Sequence, residues 1–168
     1  MFMHFFLTIT AFVAGSTLSG FIIRDSHLKL GRRYGVSLLI ESAAILAAWA
    51  VFDRGPFIGL LLLSAASGLQ NALATTYSGA VVRTTHLTGI FTDIGVLVGN
   101  RLAGIPMPDR KLRLLTDILA GFLLGGLTGG LLFPVLGNAV LVVPALISGG
   151  TGMLYFMYRR FFLKPESA

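Results

Sequence analysis

ILAGFLLGGLTGGLLFPVLGNAVLVVPALISGGTGMLYFMY, residues 118–158, contains no charged side chain. A helix that crosses a membrane needs roughly 20 predominantly apolar residues, so this one run holds material for two. Pro134, Gly137 and Asn138 divide it, because proline and glycine punctuate helices and asparagine favours turns. The predicted spans are Leu114–Phe133 and Ala139–Tyr158. Arg110, Lys111 and Arg113 stand before the pair, and Arg159, Arg160 and Lys164 stand after it.

The same pattern extends toward the N-terminus. Phe5–Ile23 is apolar and is followed by Arg24, Lys29, Arg32 and Arg33, with Asp25 the only acid among them. Val36–Phe52 forms a second apolar run that carries Glu41. The turn Asp53-Arg54-Gly55-Pro56 is neutral, and a third run covers Phe57–Val82. Residues 1–23 are not read as a cleaved signal peptide: no basic residue precedes the apolar run, the run is too long, and Arg24 follows it directly.

Composition agrees. The chain has 168 residues, of which 55% are hydrophobic and 12% charged, and its mean hydropathy is +0.84. A soluble domain of this size cannot hide so much apolar surface, so the expected fold class is all-α: a single polytopic transmembrane helical bundle with no separate soluble domain. The net charge of +6 comes from short clusters between apolar runs, which is the pattern of orientation charges and not of a nucleic-acid surface. The absence of cysteine excludes disulfides and thiolate chemistry.

Charge also orients the chain. Lys and Arg near the ends of spans are held on the cytoplasmic side, and the clusters at 24–33, 101–113 and 159–164 are each net positive, while the turns at 53–56 and 134–138 are neutral. Five spans put all three clusters on one face, with the N-terminus outside and the C-terminus in the cytoplasm of a bacterial inner membrane. In that arrangement residues 84–102 form a re-entrant or amphipathic helix. If they cross as well, there are six spans and the last two clusters fall outside.

Residues 84–102 are the richest in candidate chemistry. On a helical wheel Leu87, Ile90, Phe91, Ile94, Leu97 and Val98 share one face, and Thr85, Thr88, Gly89, Thr92, Asp93, Gly95, Gly99 and Asn100 share the other. Asp93 sits in the middle of the polar face, where an ionisable group at membrane depth must be paired, protonated or wetted. His86 and Arg83 are its expected partners, as a proton relay or ion pair. In the third run Ser64, Ser67, Asn71, Thr75 and Ser78 recur at spacings of three and four beside Gln70. Such a stripe either glues helices together or lines a polar path. The expected solute path is Gln70, Asn71, Thr75, Thr84, Thr85, Thr88, Gly89 and Asp93.

Other features read as packing. Gly121, Gly125 and Gly129, with Gly126 and Gly130, make two ridges that let another backbone approach. Glu41 is expected to snorkel toward Arg33, and Arg113 and Asp117, four apart, to pair on one helix face. No His-Glu-x-x-His pair, phosphate-binding loop or Gly-x-Ser-x-Gly elbow occurs, so the chain is not read as an enzyme, and no metal or other cofactor is expected.

At Gly68-Leu69-Gln70-Asn71-Ala72, at Val82-Arg83-Thr84-Thr85-His86-Leu87-Thr88-Gly89 and at Thr92-Asp93-Ile94-Gly95 the chain resembles the YoaK family of bacterial membrane proteins, domain of unknown function 1275. Phe12-Val13-Ala14-Gly15 resembles it too. The resemblance implies a location in the membrane but no activity. Family members usually begin with a further apolar stretch holding a Thr-Gly-Asn element, which this chain lacks, so it is either truncated at its start or a short member. Ala11–Gly15 is also similar to Leu119–Phe122. In the five-span arrangement those two segments run in opposite directions, as inverted repeats do in secondary transporters.

The expected function is therefore transport of a small solute by a permease or channel-like protein. The alternative is a non-transporting scaffold or lipid-interacting protein. Membrane lipids are the expected partners, with self-association of the incomplete bundle and no nucleic acid.

Overall fold

The computed structural model describes residues 2–23, 32–77, 87–106 and 109–162. Among the described residues all regular structure is helical, with no strand: α1 (Phe2–Ile23), α2 (Arg32–Phe52), α3 (Pro56–Tyr77), α4 (Leu87–Leu102), α5 (Asp109–Leu136), a 3₁₀ turn at Gly137–Leu141, and α6 (Val142–Phe162). Four described helical stretches are long and apolar enough to cross a membrane: Phe2–Ile23, Arg33–Phe52, Pro56–Thr76 and the 50-residue run Asp109–Tyr158. At 1.5 Å per residue that last run would measure roughly 75 Å, more than twice the ~30 Å of a bilayer's hydrocarbon core. It breaks at Gly137, whose φ of 54° is left-handed and available to glycine without a steric penalty. α4, at 16 residues, spans only about 24 Å.

The chain divides into two compact units, residues 1–82 with 136–168, and residues 83–135. In the first, α3 packs on both α1 and α2, and α2 packs in turn on α6. Contacts fix the directions. Ser64 donates to the Thr8 carbonyl at 2.8 Å and Ser16 to the Gly68 carbonyl at 3.0 Å, so residue numbers rise together and α1 runs parallel to α3. Between α2 and α6 they run against each other, from Ser42 on Ala145 to Gly35 on Gly152. Leu38 clusters with Leu73 and Ile45 with Ala66, so α3 also runs against α2, and α1, α3 and α6 share one direction.

Small residues set the distances. A Cβ on Gly15 would overlap the Ala65 carbonyl, and one on Gly68 the Phe12 carbonyl, so α1 and α3 meet backbone to backbone. Ile23, Leu38 and Leu73 close one apolar cluster, and Ile45, Ala66 and Ala145 another. The surface is apolar: Phe5, Phe21, Leu146, Ile147 and Leu154 are each more than 60% exposed, an outer face that suits lipid tails and not water.

In the second unit Ile90 and Leu97 of α4 are buried with Leu115 of α5, and Leu87, Ile94, Leu112, Ile118 and Leu119 pack around them. Phe91 and Val98 of the apolar stripe are exposed. The glycines of the two α5 ridges, Gly121, Gly125, Gly126, Gly129 and Gly130, have no neighbouring atom within 4 Å of where a Cβ would stand.

Candidate functional site

The polar groups that are both buried and drawn together lie on the seam of α2 and α6. α2 begins at Arg32, so Glu41 is its tenth residue and stands near the middle of the helix, about 13 Å from its start. Its side chain is only 7% exposed. Ser148 of α6 donates to Glu41 Oε2 at 2.9 Å and also lies 3.2 Å from the Leu38 carbonyl oxygen. One turn of α6 away, Ser42 donates to the Ala145 carbonyl at 2.7 Å in a fully enclosed bond.

Glycines make this seam tight. A Cβ on Gly149 would come within 2.6 Å of Ser42 Oγ, and one on Gly152 within 3.1 Å of the Gly35 carbonyl oxygen. Tyr34 and Tyr155 meet edge to face, with centroids 5.7 Å apart. At the opposite end Asn138 Nδ2 donates to Asp53 Oδ1 at 2.7 Å, tying the 3₁₀ turn to the turn between α2 and α3.

Glu41 therefore does not snorkel to Arg33. The sequence reading started the second helix at Val36, which put Glu41 close to the basic loop. The extra turn at Arg32–Gly35 places Glu41 eight residues beyond Arg33, about 12 Å along the axis, on the face turned to Ser148. Arg113 and Asp117 do not pair either: the ion pairs among the described residues are Arg101 with Asp109 at 3.7 Å and Lys111 with Asp93 at 3.4 Å.

Asp93 thus has a partner that the sequence did not suggest. Lys111 reaches it from α5, and both side chains are close to half exposed, at 42% for Lys111 and 49% for Asp93. Thr88 and Gly89 are exposed on α4. Arg83, Thr84, Thr85 and His86 lie outside the described residues. On α3, Gln70 is exposed and Asn71 and Thr75 are half-buried, while Ser64 of the same stripe is committed to the Thr8 carbonyl. Gln70, Asn71 and Thr75 belong to the first compact unit, and Thr88, Gly89 and Asp93 to the second.

Glu41 and Ser148 are 107 positions apart. No local spacing links them, and the signal available in sequence was the Ser148-Gly149-Gly150 step inside a charge-free run. Among the described residues no group of three or more His, Asp or Glu side chains could hold a metal ion. Ser19 on α1 is fully buried, and its hydroxyl has no partner among them.

Two of the stretches that carry the family resemblance meet in space. Phe12–Gly15 and the segment beginning at Gly68 form the backbone contact of α1 with α3. No curated protein and no solved structure matches the chain. One family model does, over residues 1–154, and its description is a protein of unknown function, DUF1275. With four apolar stretches able to cross a membrane and a match over nearly its whole length, this chain is a helical membrane protein that belongs to the DUF1275 family.

Proposed function

We propose that this protein is a permease of the bacterial cytoplasmic membrane that moves a small solute. The observation that carries the reading is Glu41, a carboxyl group near the middle of an apolar helix, buried, bonded to Ser148 and without an ion pair among the described residues. Ionisable groups inside membrane helices are expensive and mark substrate paths, ion sites or proton relays. A helix needed only as a strut gains nothing from one.

The topology proposed with it has five crossings, an outside N-terminus and a cytoplasmic C-terminus. Its support is parity. α6 runs parallel to α3, so α3 ends on the face opposite to the one where α6 begins, and the chain between them must cross an odd number of times. α4, with 16 residues, is short for a crossing, and α5, with 28, is ample. The basic residues 24–33, 101–113 and 159–164 then share the cytoplasmic face.

The competing reading, a scaffold or lipid-interacting protein, draws its support from the α1–α3 seam, where Ser16 and Ser64 give their hydroxyls to backbone carbonyls and serve packing alone. Proteoliposomes separate the two. Osmotic swelling is followed by light scattering with a panel of small neutral, anionic and cationic solutes, with and without an imposed pH gradient. The permease reading expects at least one solute to enter faster than into protein-free vesicles and Glu41→Gln to abolish the difference. Equal rates for every solute under every gradient would overturn it in favour of the scaffold.

A further inference from the structure

We infer that Glu41 is a proton-binding site inside the membrane, built so that Ser148 serves the carboxyl group in both its charged and its neutral form. The inference rests on the same membrane-spanning α2 as the permease reading, but it does not require that a solute moves.

The geometry is that of one hydroxyl between two acceptors. Ser148 Oγ lies 2.9 Å from Glu41 Oε2 and 3.2 Å from the Leu38 carbonyl oxygen, and a serine hydroxyl has one hydrogen to give and lone pairs to receive. With Glu41 charged, Ser148 donates to Oε2. When a proton from the aqueous phase binds Oε2, the new O–H donates to Ser148 Oγ, and the serine hydrogen turns to the Leu38 carbonyl. Release reverses these moves and returns the proton to water. Heavy atoms stay where they are, and neither state leaves the serine hydroxyl without a bond.

The described residues packed around Glu41 offer it no fixed counter-charge. α3 has no Asp, Glu, Lys, Arg or His, and the sole titratable side chain of α1 is His4, which meets Phe57 of α3 edge to face. The 3₁₀ turn holds none, and the titratable side chains of α6 before Arg159 are Tyr155, edge to face with Tyr34, and Tyr158. On α2 itself the other titratable groups are Arg32, Arg33 and Tyr34, two turns or more away. Asp53 lies in the following turn and is held by Asn138. Among the described residues no Lys or Arg forms an ion pair with Glu41.

The test is infrared difference spectroscopy of the full chain in lipid nanodiscs as pH is stepped. A protonated carboxyl group has a carbonyl band that a carboxylate lacks. Wild type should show such a band growing as pH falls, Asp93→Asn should keep it, and Glu41→Gln should lose it. Ser148→Ala should move the band to higher frequency, because the O–H loses its acceptor, and Ser148→Thr, which keeps a hydroxyl, should restore it. Size-exclusion elution identical to wild type qualifies each variant.

A spectrum without any titrating band that Glu41→Gln removes would overturn the proton site. A band that Ser148→Ala leaves unmoved would overturn the serine's part in it. If vesicles carry no solute while the band titrates, the permease reading fails and the proton site stands. If solute enters and no Glu41 band appears, the outcome is the reverse.

Discussion

At Ser42 a single hydroxyl joins two helices, and its worth can be measured. The bond to the Ala145 carbonyl is 2.7 Å long and enclosed, and interhelical hydrogen bonds in membranes contribute roughly 0.6 kcal/mol on average, with the best near 1.7. Ser42→Ala is expected to cost about 1 kcal/mol of stability in detergent unfolding. Gly149→Ala, which pushes a methyl to within 2.6 Å of that same hydroxyl, should cost more in wild type than in the Ser42→Ala background, and a double-mutant cycle reads the difference. Asp93 behaves differently. Its pair with Lys111 is close to half exposed on both sides, and exposed ion pairs contribute roughly 0.2–1 kcal/mol. Asp93→Asn should change stability by less than about 1 kcal/mol, and added salt should shrink the effect further. Sequence alone singled out Asp93 because it interrupts a polar helical face, a local pattern. It did not foresee the burial of Glu41, because burial depends on which helix lies opposite, and Ser148 is 107 residues away.

Among the elements, glycine separates two situations that look alike in sequence. Gly68 has the Phe12 carbonyl in the place of its missing side chain, whereas Gly125 has nothing within 4 Å. A methyl at Gly68 meets backbone, which cannot rotate aside as a side chain can, so Gly68→Ala should destabilise the α1–α3 pair by about 1–3 kcal/mol. Gly125→Ala should leave stability unchanged or raise it slightly, since alanine is the better helix former by about 1 kcal/mol. Thermal unfolding of the two variants side by side checks both. The ridge spacing of α5 was legible in the sequence, but the close helix contacts formed elsewhere, at glycines with less regular spacing. Spacing says that a face is small, and not that anything rests on it. The helices themselves were legible because charge-free runs of this length have few other fates, although the basic clusters hid the first turn of α2. The apolar residues 87, 90, 94 and 97 of α4 do face an apolar partner, α5, whereas Phe91 and Val98, assigned to the same stripe, are exposed.

For the molecule as a whole, parity gives a direct forecast. Single cysteines placed at Arg54 and Leu136 of this naturally cysteine-free chain should react with a membrane-impermeant thiol reagent added outside intact cells. One placed at Arg113 should react only after the inner face is opened. Labelling of Arg113→Cys from outside would replace the five-crossing arrangement with six. The direction of α6 against α2 had no counterpart in the sequence reading, which relied on charge bias alone. The proposed five-crossing arrangement draws its support from both, and the labelling decides it.

The order in which helices pair also has a consequence for biosynthesis. α1 rests chiefly on α3, and α6 on α2, so neither end of the chain packs mainly on its neighbour in sequence apart from the turn that joins α6 to it. As the ribosome delivers the chain, α1 touches α2 only slightly and must wait in the lipid for its main partner, α3, to be inserted. Ser148 is made after all of these. Until it arrives, the carboxyl of Glu41 has no covering helix, and a nascent chain that stalls before α6 carries a conspicuous polar lesion in the bilayer. Such a lesion is what membrane proteases and insertases are suited to detect, so arrested or C-terminally shortened chains should be cleared faster than the finished protein.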